Sequence, residues 1–79
     1  MQISQKYLNA VANADLALAR KNGRVCVTGT KAGNLEIEYK GNGYYMISDF
    51  NNNAYAHYVG RRAGAVKFLT ENYVVVTNG

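Results

Sequence analysis

The stretch Leu35-Glu36-Ile37-Glu38-Tyr39-Lys40 constrains this chain more than any other. Leu35, Ile37 and Tyr39 alternate with Glu36, Glu38 and Lys40, a period of two that only an extended strand turns into one dry face and one wet face. Gly41-Asn42-Gly43 follows, then Tyr44-Tyr45-Met46-Ile47-Ser48-Asp49-Phe50. The glycines and asparagine supply the backbone freedom of a tight turn, so a hairpin over Leu35–Phe50 is expected. Its halves differ. The first has an acidic wet face and reads as peripheral. The second is largely apolar on both faces and reads as interior, or as lying beneath a partner.

Upstream, residues from Ser4 to Lys21 read as a helix with Ile3, Tyr7, Val11, Ala14 and Leu18 three or four apart and Leu8 widening the stripe. Ser4 is placed to cap it. Arg20 and Lys21 suit the negative end of its dipole, and Asn22-Gly23 supplies a left-handed stop. Arg24–Thr28 is a short strand, central or covered on both faces, with Cys26 between Val25 and Val27 expected to be an inert core thiol. Gly29–Asn34 joins it to the Leu35 strand. This loop lacks the GxxxxGK[ST] pattern of a phosphate loop and reads as a plain hairpin connection.

Downstream, Asn51-Asn52-Asn53 ends the Tyr44 strand and offers side chains for turns or caps. Residues 54–72 admit two readings. The preferred one is a single helix capped by Asn53, with Tyr55, Tyr58, Val59, Val66 and Leu69 as its stripe. Gly60 and Gly64 then each cost about 1 kcal/mol. In the other, Ala54–Val59 is a strand and the helix begins near Gly60. Tyr73–Thr77, with three consecutive valines, reads as a last strand. The expectation is one domain over residues 1–79 of α+β class: a small, mostly antiparallel sheet of about four strands with two helices, in the order α-β-β-β-α-β.

Several chemistries have no foothold. One cysteine and one histidine, Cys26 and His57, cannot make a zinc knuckle, and nothing in the sequence brings them together for nucleophilic catalysis. Glu36 and Glu38 share one strand face and are not opposed across a cleft. No catalytic residue, metal ligand or cofactor motif is assigned. No apolar run approaches ~18 residues and the N-terminus carries no leader-like stretch. A cytoplasmic location without a membrane partner is therefore expected, which also suits a lone thiol.

The basic residues say more. The net charge is +4, distributed as +4 over residues 1–34, −2 over 35–60 and +2 over 61–79. Arg61, Arg62 and Lys67 form one set, and Lys21, Arg24 and Lys31, with Arg20, form another. Arginine forks match phosphate oxygens, and a tyrosine such as Tyr58, four before Arg62, can brace a guanidinium or stack a base. The α-β-β-β-α part resembles the double-stranded RNA-binding domain in architecture. That family carries a lysine pair and a further lysine where its second helix starts. Here Arg61-Arg62 reach a helix start only with the boundary near Gly60, and the spacing to Lys67 departs from the family's.

The first expectation is thus a small non-enzymatic protein that engages nucleic acid, or a complex handling one, through Arg61, Arg62, Lys67, Lys31, Arg24, Lys21 and Tyr58. The second is an accessory or inhibitory protein of a phage or mobile element, acting on an acidic or other protein surface through Tyr44, Tyr55, Met46 and Phe50. This second reading gains if Tyr44, Met46 and Phe50 are exposed together. A homodimer would let two modest basic patches merge.

Overall fold

The computed structural model describes residues 4–74. The chain runs α1 (Gln5–Asn22), β1 (Arg24–Thr30), β2 (Gly33–Gly41), β3 (Tyr44–Asp49), β4 (Asn52–Arg61) and α2 (Arg62–Asn72). The four strands form one antiparallel meander in the order β1-β2-β3-β4. The α+β class, the four-stranded antiparallel sheet and the two helices are as the sequence reading expects.

Both helices pack on one face of the sheet. Leu35, Ile37 and Tyr39 point to that face, opposite Val27, Val25 and Tyr45 of the neighbouring strands. Together with Ile47, the buried members of this set join Ala12, Leu16 and Ala19 of α1 and Ala65 and Leu69 of α2 in a single core. The other face carries no helix among the described residues.

The ends of α1 follow local chemistry. The Ser4 hydroxyl accepts the Tyr7 N–H at 3.2 Å. Gly23, at φ 91°, lets its N–H donate to the Ala19 carbonyl. The buried stripe is another matter. Tyr7 and Leu18 are exposed, and the face that meets the core is Ala12, Leu16 and Ala19. Both sets recur at three or four residues, so periodicity alone cannot choose between adjacent stripes. Tertiary contacts choose: the Tyr73 hydroxyl, just beyond α2, donates to Asp15 Oδ2 of α1 at 2.6 Å. The two alanines let α1 lie close.

The largest departure is in residues 54–72. The single helix is replaced by a strand, β4, and an 11-residue helix beginning at Arg62. Tyr55, His57, Tyr58 and Val59 favour extended backbone, and β3, apolar on both faces, needs a partner on its second edge. β4 supplies it, with Met46 opposite Val59 and Ile47 opposite Tyr58. Four strands therefore precede α2, where the double-stranded RNA-binding comparison has three. Tyr73 and Val74 lie in no strand, and the rest of the Tyr73–Thr77 expectation falls outside the described residues.

The strand positions also change. β2 is interior, between β1 and β3, and β1 is an edge strand. Cys26 faces the helix-free side of that edge and is exposed, because no second layer covers it there.

Candidate functional site

The meander brings distant segments to one end of the sheet. Antiparallel pairing puts the start of β1, the β2–β3 turn and the end of β4 side by side: Arg24 is opposite Glu38, and Tyr44 is opposite Arg61. The two-residue turn there holds Asn42 at φ 55° and Gly43 at φ 81°, the doubly positive conformation that tight hairpins require. The last turn of α1 and the first turn of α2 reach the same end.

There, Arg20, Gly43, Tyr45, Arg61, Arg62 and Ala63 line an open cavity of about 490 Å³. Two of its arginines are held by aromatic rings. The Arg20 guanidinium carbon lies 5.2 Å from the centroid of Tyr39, and that of Arg61 lies 4.7 Å from the centroid of Tyr44. Tyr39 is fixed in turn. Its hydroxyl accepts the Gly43 N–H at 3.0 Å, and its ring packs at 56° against Tyr45. Among the described residues no carboxylate pairs with Arg20, Arg61 or Arg62; the ion pairs found involve Arg24 and Lys40 with Glu36 and Glu38. Three arginines thus line one open space without an ion-pair partner among the described residues, two of them oriented by stacking on rings.

The β4–α2 junction sets where Arg61 and Arg62 stand. The Tyr58 hydroxyl donates to the Arg61 carbonyl at 2.8 Å. A Cβ at either Gly60 or Gly64 would overlap that hydroxyl, so the two glycines make room for the ring. Tyr58 is therefore a strut under the junction. It lies on a strand and points to the helix side, packed against the core, and no guanidinium stacks on its ring among the described residues.

The other expected basic residues separate. Arg24 lies on the helix-free face, 3.4 Å from Glu36 and 4.0 Å from Glu38, with Lys40 also 3.6 Å from Glu38, so its charge is already answered. The Lys31 N–H donates to the Asn72 carbonyl at the C-terminal end of α2, about 15 Å from Arg62 along an 11-residue helix. Lys67 is exposed but about 140° round α2 from Arg62. Lys21 is exposed beside Arg20 without lining the cavity.

The candidate contact residues divide as well. Tyr44 and Phe50 are both exposed, at 42% and 49%. They stand six residues apart, Tyr44 at the start of β3 and Phe50 in the turn just after it, roughly 20 Å in extended chain, and Met46 between them is half-buried. They do not form one patch. Tyr55 is exposed towards the β3–β4 end of the sheet, its ring edge-on to His57 at 4.9 Å. His57 stacks on Phe68 at 5.7 Å, and its Nε2 is buried without a hydrogen-bond partner. Among the described residues, no three of His, Cys, Asp and Glu gather as a metal site, and no helix is long and apolar enough to cross a membrane.

Arg20 is the cavity residue that sequence reasoning named only as part of a basic set. Its role depends on Tyr39 and on the nearness of α2. The signal that could have found it was the second reading of residues 54–72, because a strand ending at Arg61 must finish beside the β2–β3 turn. No protein-family model, curated protein or solved structure matches the chain.

Proposed function

We propose that this chain is a small cytoplasmic binding protein whose partner is a nucleic acid, engaged by the arginine-lined end of the sheet. The observation that carries the reading is that Arg20, Arg61 and Arg62 line one open cavity and none of them has an ion-pair partner among the described residues. Guanidinium groups with no carboxylate partner among the described residues favour an external anion. Their planar forks suit phosphate oxygens, and the surrounding tyrosines suit bases. The binding residues are accordingly Arg20, Arg61 and Arg62, with exposed Lys21 next to Arg20 in sequence adding to the local positive charge.

The test is fluorescence anisotropy with a labelled oligonucleotide across a salt series. Affinity should fall steeply as salt rises. Arg62→Ala or Arg20→Ala should weaken binding about tenfold at low salt and flatten the salt slope by about one. Arg24→Ala, whose charge is already paired, should change binding by less than about twofold. Absence of binding at low salt refutes the reading. Equal loss in the Arg24 and Arg62 variants would show that only net charge matters.

A second reading rests on a different observation. Phe50 and Tyr55 are exposed aromatics at the opposite end of the sheet, where an accessory or inhibitory protein, of the kind phages carry, would meet a protein target. A stoichiometric protein partner, recovered after nuclease treatment and lost in Tyr55→Ala, selects this reading.

A further inference from the structure

The arginine cavity opens beside a surface with its own character. The helix-free face of the sheet has two unlike halves. On β1 and β2 it carries Arg24, Cys26, Glu36, Glu38 and Lys40, with the carboxylates held in ion pairs. On β3 and β4, next to the cavity, it carries Tyr44, Met46 and Val59. Val59 is 61% exposed and Tyr44 42%. Arg61 joins cavity and face: it lines the first and lies over the Tyr44 ring of the second.

We propose that this β3–β4 half of the open face receives a single-stranded nucleic acid, one unpaired base stacking at Tyr44 while the adjoining phosphate meets Arg61, Arg62 and Arg20. The inference rests on the nucleic-acid reading above and names its substrate class. Charge complementarity selects the occupant. A cationic cavity and an exposed aromatic share one arginine, the arrangement that binds a phosphate and a base together. Duplex DNA or RNA keeps its base faces stacked on one another and presents only edges and backbone to a protein. It would use the arginines and leave Tyr44 idle. On the Glu36–Glu38 side the basic groups are already paired with carboxylates and offer phosphates no free charge, so the strand runs over β3 and β4.

The experiment titrates the full chain with labelled oligothymidylate and oligouridylate of about 12 nucleotides. Beside them run an abasic oligomer of the same length and charge, and a duplex of the same length. Either single strand should bind roughly tenfold tighter than the abasic oligomer and than the duplex. Tyr44→Ala should erase most of that margin, while Tyr44→Trp keeps it. Equal affinity for the abasic and base-bearing strands, or tighter binding of the duplex, overturns the single-strand inference and leaves the nucleic-acid reading standing. Failure of all four oligomers to bind at low salt overturns both. The abasic comparison needs no variant, so a poorly folded Tyr44→Ala protein does not rescue the inference.

Discussion

Gly64→Ala should destabilise this protein, against the ordinary rule. Gly64 sits in the first turn of α2 with an unremarkable φ, so intrinsic propensity predicts a gain of up to ~1 kcal/mol from alanine. The added methyl, however, would overlap the tip of the Tyr58 ring as well as its hydroxyl. A ring packed against the core cannot swing aside as a lysine tip can. Relieving the overlap costs about 1–3 kcal/mol of repacking, and loss of the Tyr58–Arg61 hydrogen bond costs about 1 kcal/mol more. Set against the propensity gain, the net is a destabilisation of about 1–3 kcal/mol. A chain of this size has a urea m-value near ~1 kcal/mol/M, so the unfolding midpoint should fall by about 1–3 M. Urea titration followed by far-ultraviolet circular dichroism measures it. The decisive arm is the Tyr58→Leu background, which removes the ring tip. There the same Gly64→Ala change should become neutral or stabilising by up to ~1 kcal/mol. If Gly64→Ala raises the midpoint in the wild-type background, Tyr58 does not occupy the space between Gly60 and Gly64. Tyr58 then does not position Arg61 and Arg62 either.

Two further outcomes follow from single side chains. Burial, the hydrogen bond to Asp15 and the Asp15 charge together raise the Tyr73 phenol well above its ordinary pKa, so the folded state holds the proton more tightly than the unfolded chain. The stabilisation is therefore complete below about pH 10 and lost as pH rises beyond it. Tyr73→Phe should cost about 1–2 kcal/mol at neutral pH, and its deficit relative to wild type should shrink in alkaline urea titrations; a deficit constant with pH would refute the linkage. Cys26, exposed on an edge strand, should react fully with a thiol reagent in the native protein, without the circular dichroism signal changing. Protection until unfolding would contradict its placement.

Local signals carried much of this fold, and they did so where one physical cause dominates. The Leu35–Lys40 alternation, the Gly41–Gly43 turn, the Ser4 cap and the Gly23 stop each depend on a few adjacent residues, and each is found as expected. Three other features depend on what lies across space. Two stripes on α1 were equally periodic, and contact with the sheet and with Tyr73 selected the one with more alanine. Cys26 looked like a core residue between two valines, yet a strand has two sides, and only sheet order tells which are covered. Residues 54–61 carried both helical and extended patterns. The free edge of β3 decided for the strand, since its backbone groups and apolar faces needed a partner.

The candidate site shows the same division. Arginines, tyrosines and a positive balance were visible in the chain, together with their segregation into two charged segments flanking an acidic one. Their sorting was not. Only the antiparallel meander brings Arg20, separated from Arg61 by forty positions, to the same cavity, sends Lys31 to the far end of α2, and sets Arg24 against Glu36 and Glu38. Residue identity alone sets which charges and rings exist and where the backbone can turn. Tertiary structure decided which charges are answered internally and which remain open to a partner, because strand register sets those distances and composition does not.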